Sequence, residues 1–262
     1  MRLEDIKGHL KYRLKRLLGR NQPFMPEEIR SDDVFVVSYP KSGNTWVRFL
    51  LANALYPDAE VDFHTIHELI PEVGQEELRR DALPSHRLLK SHAPYRAVYP
   101  RVIYILRDGR DVYTSYYHYK QLDLDTETTF EDFLSGRHWP TRWAEHVRGW
   151  MRAAAVRDNI LVVRFEDLKE DSVRELRRMV SFLDRGAIPE SQLQDAAEAY
   201  IYQNMRRLEK ERGRKYEKVE RFMRKGKAGN WEEMFTKSAR KIFKNEDGGA
   251  LVENGYVENK SW

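Results

Sequence analysis

Lys41, Lys90, His92, Arg107 and Ser115 are the residues whose types and placement could do chemistry in this chain. Lys41 stands in Val34-Phe-Val-Val-Ser-Tyr-Pro-Lys-Ser-Gly-Asn-Thr-Trp46, a β-branched and aromatic run followed by a turn punctuated by Pro40 and Gly43. An apolar helical pattern then runs through Trp46, Val47, Leu50, Leu51 and Leu55. Such a strand-to-helix turn offers successive backbone N–H groups to an anion, with the positive end of the helix dipole behind them. Lys41 adds a mobile charge and Thr45 a hydroxyl, so an anionic nucleotide is the first ligand to expect. His92, in Lys90-Ser-His-Ala-Pro94 at the end of a second short strand, is the candidate general base. A neutral imidazole is the usual group for taking a proton from an alcohol, phenol or amine near neutral pH. Arg107 follows a third strand, and Ser115 comes eight residues later on a helix that starts near Gly109. The arginine's planar fork suits a phosphate, and the hydroxyl adds one more hydrogen bond.

These residues need a scaffold, and the hydrophobic pattern supplies one. Short strands at Val34 to Val37, Arg87 to Lys90, Val102 to Leu106 and Ile160 to Val163 alternate with helical segments, the last of these ending near Leu183. That alternation predicts an α/β three-layer sandwich with a mostly parallel central sheet covered on both faces. Ligands of such sheets lie beyond the carboxyl ends of the strands, where the polar motifs fall, so the motifs should converge on one crevice. The stretch Asp58 to Pro84 carries Glu60, Asp62, Glu68, Glu72, Glu76, Glu77 and Asp81 and reads as surface loops around short helices. Helical patterns resume after Asp184 and lead into a basic stretch, Lys210 to Lys227; the tail from Asp247 reads as Gly-rich and polar.

At 262 residues one domain over 1–262 is expected, with an N-terminal helical arm at 1–30 and a basic lid segment with the C-terminal tail at 210–262. In the arm, Leu3, Ile6, Leu10, Leu14, Leu17 and Leu18 recur at helical spacing among basic residues, a pattern read as a helix docked on its own domain rather than on a membrane. Lys plus Arg number 46 against 42 Asp plus Glu, a net charge of +4 too mild to indicate a nucleic-acid partner. There is no cysteine, which excludes disulfides and thiolate chemistry and fits a reducing compartment. No apolar run is long enough to span a bilayer, and no signal peptide is evident, so a cytoplasmic protein is the expectation. His64 and His67 sit three apart, but no carboxylate or cysteine pattern completes a ligand set and no metal is expected.

The turn lacks the second glycine that precedes the lysine of the common nucleotide loop, which disfavours an ordinary ATPase. Tyr39-Pro-Lys-Ser-Gly-Asn-Thr-Trp46 instead resembles the 5′-phosphosulfate loop of the cytosolic-type sulfotransferases that use 3′-phosphoadenosine 5′-phosphosulfate (PAPS). Lys90-Ser-His92 is similar to their Lys-Thr-His motif. Arg107 and Ser115 have the spacing of their 3′-phosphate grip, and Arg224-Lys225-Gly226 resembles the C-terminal segment that closes over that phosphate. The four segments span Tyr39 to Trp231 in the family's order.

The resemblance implies a P-loop-kinase-like fold, a single domain, no metal and in-line transfer of a sulfuryl group. It implies that Lys41 meets the bridging oxygen, Lys90 the transferring sulfonate, and the loop at Ser42, Gly43, Asn44 and Thr45 the 5′-phosphate, with His92 deprotonating the acceptor. Trp46, Phe165 and Tyr202 stand where the family's adenine-stacking aromatics stand. Phe165 replaces a usual Tyr, Tyr202 a usual Phe, and Ile201 a Ser beside the adenine. Asn230 replaces a common Asp before Trp231. Where many members have a dimer motif of Lys, Thr-Val and Glu, this chain has Glu232, Thr236-Lys237 and Lys241, so the dimer is not carried over.

The acceptor is expected to be a small molecule with a hydroxyl or amine, in a pocket bordered by His64, His67, Tyr116, Tyr117, His118 and the Trp139 to Trp143 segment. Two other readings compete. One is an ATP-dependent small-molecule kinase on the same fold. The other is a non-enzymatic polyanion- or membrane-binding module using Lys210 to Lys227 and the N-terminal helix.

Overall fold

The computed structural model describes residues 29–73, 87–120, 128–136, 141–184, 186–200, 202–212, 229–259 and 261–262. Residues 1–28 of the expected helical arm, together with Arg224, Lys225 and Gly226, therefore lie outside the described residues.

Four strands, β1 (Val34–Ser38), β2 (Leu88–Ser91), β3 (Arg101–Leu106) and β4 (Ile160–Arg164), form an all-parallel sheet in the order β2-β1-β3-β4. Around it lie α1 (Asn44–Leu55), α2 (Ile66–Leu69), α3 (Gly109–Lys120), α4 (Phe130–Ser135), α5 (Trp143–Ala154), α6 (Phe165–Glu170), α7 (Ser172–Leu183), α8 (Glu190–Ala199) and α9 (Tyr202–Arg212). A 3₁₀ turn (Asn230–Glu233), α10 (Lys237–Glu246) and α11 (Gly248–Glu253) complete the described elements.

The strands read as unbroken apolar runs because both faces are covered. Phe35 and Val37 join Tyr104, Trp143, Trp150 and Phe243 in one buried cluster. Val34 and Val36 join Leu50, Ile103, Met179 and Leu183 in the other. This alternation is the period-two geometry of a strand, and it puts helices on both sides as the pattern predicts.

The strands agree with the sequence reading to within a residue at either end. Two expectations need correction. The acidic stretch after Asp58 is not all surface: Val61, Phe63, Ile66 and Ile70 are buried, and the chain at Pro71–Val73 runs beside β2, Lys90 N–H donating to Pro71 O and Val73 N–H to Lys90 O. The tail from Asp247 is likewise structural. Asp247 is buried and accepts from Ala144 N–H and Arg142 Nη2, and α11 buries Ala250 and Leu251. Gly248 and Gly249 begin that helix instead of loosening the chain.

Buried ion pairs and polar ties hold the layers in register. Arg87 grips Asp33 through Nε at 2.5 Å and Nη2 at 2.8 Å where β1 and β2 begin. Arg48, buried on α1, donates to the carbonyls of Ile66 and Ile70 and fixes α2 against it. Removing one member of such a buried pair costs about 3–5 kcal/mol, because the other charge is stranded.

Candidate active site

Strand register brings the chemistry to one edge of the sheet. Val37 pairs with Ser91, Ser38 with Ile105, and Leu106 with Arg164. One step further along, His92, the Tyr39 turn, Arg107 and Phe165 line up across the carboxyl edge, neighbouring strands lying ~4.8 Å apart. The chain leaves β1 for β2 on one side and returns to β3 on the other. The Lys41 turn and Arg107 thus flank the topological switch point, where open α/β sheets bind ligands.

The turn itself is tight. Lys41 has φ 68° and Gly43 φ 99°, so two of its residues occupy the left-handed region. Gly43 is required twice over: its φ favours glycine, and a Cβ there would come within 2.6 Å of the Phe165 ring. Ser42 is buried, and its Oγ has no hydrogen-bond partner among the described residues. The N–H groups of Asn44, Thr45 and Trp46 open α1, where helix geometry leaves them without an intrahelical acceptor. Donors without acceptors, gathered at a helix start, fit a phosphate group. The Asn44 side chain faces inward instead: its Nδ2 donates to Val36 O at 3.0 Å and Ser38 Oγ at 3.3 Å. Its contribution to an anion site is therefore its backbone.

His92 is fixed by β1. Its Nδ1 lies 2.8 Å from Ser38 O. A carbonyl oxygen can only accept, so Nδ1 carries the hydrogen and Nε2 the lone pair. Burial, helped by the Lys90 charge and opposed by Glu72, pulls the His92 pKa down to about 4. The ring is neutral at physiological pH and has the tautomer a base requires.

Lys90 is paired. Its Nζ donates to Glu72 Oε2 at 2.9 Å, across the same bridge that sets Pro71–Val73 beside β2. Burial works against the Glu72 charge, but Lys90 and His92 outweigh it and the carboxyl stays below its usual range.

Arg107 reaches across the switch point. Its Nη1 donates to Lys41 O at 3.0 Å, its guanidinium lies 4.2 Å from the Phe165 ring centroid, and Nη2 is 3.9 Å from Asp111. Nε has no partner among the described residues. Ser115 is half-buried one helical turn beyond Asp111 and shares its face of α3. Arg110 pairs with Asp108, and the pair is buried: Trp231 and Trp262 rings lie 4.1 and 4.6 Å from its guanidinium.

On the other flank, the Trp46 and Phe165 rings meet edge to face at 5.7 Å, and Trp46 Nε1 donates to Tyr200 O at 2.9 Å. Tyr202 begins α9, two residues after Tyr200. Of the residues expected to border an acceptor, Trp143 and Tyr116 are buried in the core, and the Trp143 ring is what a Cβ at Gly109 would strike. Residues 137–140 lie outside the described residues. His64 and His67 form no metal-holding group; none is found among the described residues.

The model of the sulfotransferase domain family matches residues 31–246. The chain belongs to this family. Cytosolic sulfotransferase 1 of Danio rerio is 29% identical over 240 residues, covering 80% of this chain and 79% of that protein. Sulfotransferase 1A1 of Bos taurus is 30% identical over 255 residues, 84% of each. Among solved structures, retinol dehydratase in complex with androsterone and the inactive cofactor PAP superposes with a TM-score of 0.69 at 23% identity, over 86% of this chain and 82% of that one. A mouse sulfotransferase complexed with PAP gives 0.66 at 24% identity, over 87% and 90%. These neighbours share the P-loop-like α/β fold. As a sulfotransferase-domain protein, the chain is an enzyme of sulfate transfer.

Four residues around these candidates were not among the site residues expected from the sequence. Glu72 holds Lys90. Asp111 accepts from Gly229 N–H at 2.8 Å and Trp231 N–H at 3.1 Å, anchoring the chain that follows the basic segment. Glu166 receives Asp108 N–H through one oxygen and Tyr256 OH through the other, behind Arg107. His146, buried on α5, sets Nδ1 3.1 Å from Tyr104 OH, and burial, with His92 nearby, lowers its pKa to about 3.

Proposed function

We propose that the protein transfers the sulfuryl group of PAPS to a hydroxyl or amine of a small-molecule acceptor, with His92 as general base. The observation that carries this reading is the His92 hydrogen bond to Ser38 O, which leaves Nε2 as the basic atom at the strand edge shared with the Lys41 turn. In-line transfer asks for little covalent help from a protein. It needs positioning and stabilisation of the charge growing on the leaving phosphate. Lys41 and the N–H groups opening α1 would hold the 5′-phosphate side, Lys90 the transferring sulfonate, and Arg107 with Ser115 the 3′-phosphate. Trp46, Phe165 and Tyr202 would border the adenine. Arg224, Lys225 and Gly226 would cover the 3′-phosphate. His92 would take the acceptor's proton as the O–S or N–S bond forms and the bond from sulfur to the bridging oxygen breaks.

PAP bound to structural relatives supports a PAPS donor here, and androsterone or retinol in the retinol dehydratase complexes supports a small-molecule acceptor. The reading takes 1–262 as one sulfotransferase domain in the cytoplasm, a location supported by the name of the Danio rerio cytosolic sulfotransferase. No described helix is long and apolar enough to cross a membrane. A screen of phenols, alcohols and amines with sulfur-labelled PAPS tests the reading. Labelled product from at least one class is expected; no transfer to any class by protein that binds PAP would count against it.

A further inference from the structure

Lys41 and Asp184 are the only non-glycine residues with positive φ among the described residues, and Asp184 merely closes α7. A lysine in the left-handed region costs about 1 kcal/mol or more, so its surroundings must hold it there. Arg107 does so from the next strand: Nη1 bonds the Lys41 carbonyl, and the guanidinium rests on Phe165. Phe165 in turn packs against Gly43, where no Cβ fits. Lys41, Arg107, Phe165 and Gly43 thus form a closed circuit of contacts across β1, β3 and β4. The guanidinium keeps donors for a further ligand, because Nε has no partner among the described residues and Nη2 is 3.9 Å from Asp111.

We infer that Arg107 is a positioning residue for Lys41, so that engagement of the donor's 3′-phosphate by this guanidinium orders the loop that carries Lys41. The inference rests on the proposed function for its nucleotide half. The brace between Arg107 and the loop stands on the contacts alone. Coupling of this kind is reciprocal: whatever the 3′-phosphate does to order the loop, an ordered loop does for 3′-phosphate affinity. A ligand without that phosphate can occupy the 5′ side yet leave the loop less ordered.

Hydrogen exchange of the full chain tests this in wild type, Arg107→Lys and Phe165→Leu, each without nucleotide, with saturating PAP and with saturating adenosine 5′-monophosphate. A lysine keeps the charge but lacks the fork that serves two partners at once. Without nucleotide, Arg107→Lys is expected to speed exchange in the 39–46 peptide about 5-fold or more, the scale of one lost hydrogen bond, while β1 and β3 stay unchanged. Phe165→Leu, which removes the platform but keeps the arginine, gives a smaller change in the same direction. In wild type, PAP slows the loop more than the monophosphate does, and Arg107→Lys abolishes that difference. Unchanged loop exchange in nucleotide-free Arg107→Lys overturns the brace. Equal protection by the two nucleotides in wild type overturns the coupling. Failure of wild type to bind PAP removes the proposed function instead, and the nucleotide-free comparison still decides the brace.

Discussion

The carbonyl oxygen of Ser38 accepts a hydrogen bond from His92 Nδ1 at 2.8 Å, which ties the last residue of β1 to the imidazole that follows β2. The same bond sets the tautomer, aims the ring and locks it to the strand that leads into the Lys41 turn. The sheet therefore couples the proposed base and the Lys41 turn without a dedicated linker.

If His92 is the base, His92→Ala should lower turnover by ~10²-fold or more while PAP affinity changes little, since the ring acts on the acceptor. Calorimetry for PAP and initial rates with labelled donor measure the two quantities. Full activity in the variant removes His92 from the mechanism.

The acid limb of the pH–rate profile reports the same ring. With a His92 pKa of about 4, kcat/KM should show no His92 loss between pH 8 and 6. The charged and titratable groups around it are Lys90, Glu72, Arg48 and His146. Lys90 disfavours the protonated ring and Glu72 favours it, so Lys90→Gln moves the limb to higher pH and Glu72→Gln to lower pH, whatever each does to the maximal rate. Shifts of the opposite sign would show that the limb belongs to another group.

Gly43→Ala meets two obstacles, the positive φ and the Phe165 ring at 2.6 Å. A stability loss of about 1–3 kcal/mol in urea melts is expected, with at least ~10-fold weaker PAP binding, because the loop must shift. Wild-type behaviour on both measures would contradict the described turn.

Burial of His146 has a cost that depends on pH. Its folded pKa, about 3, lies below the unfolded value near 6.5, so the unfolded chain binds the extra proton as pH falls through that window. Stability from this group is intact above pH 6.5 and declines by about 1.4 kcal/mol per pH unit below it. His146→Phe should lose about 2 kcal/mol less than wild type between pH 7 and pH 5 in urea melts. Equal losses would mean that the ring protonates in the fold.

The chemistry-bearing turns were legible because their signals are local. A proline and a glycine between an apolar strand and a helical pattern mark a turn and a helix start within a few residues, and the structure has the turn at Gly43 and the helix from Asn44, whereas the positive φ of Lys41 had no signal in its residue type. Strand ends fell within a residue of expectation since both sheet faces are covered and the runs are continuous. Long-range partners had no such signal. Glu72 stood among eight acidic residues of the stretch from Asp58 to Pro84, and only the fold selects it for Lys90. The Asp111 carboxylate receives N–H groups 118 and 120 residues away, partners that nothing near it in the chain announces. The tail after Asp247 misled for the opposite reason: its glycines suggested a loose end, while Ala250 and Leu251 fill the core.

The central claim is that this crevice is built for PAPS rather than for ATP, and the comparison of adenosine 3′,5′-bisphosphate with ADP on the wild-type chain tests it most directly. The two ligands share adenosine and differ in where the second phosphate sits. Calorimetry should give clearly tighter binding of the 3′,5′-bisphosphate, by ~10-fold or more, as a buried arginine fork on a phosphate implies. A clear preference for ADP would contradict the account.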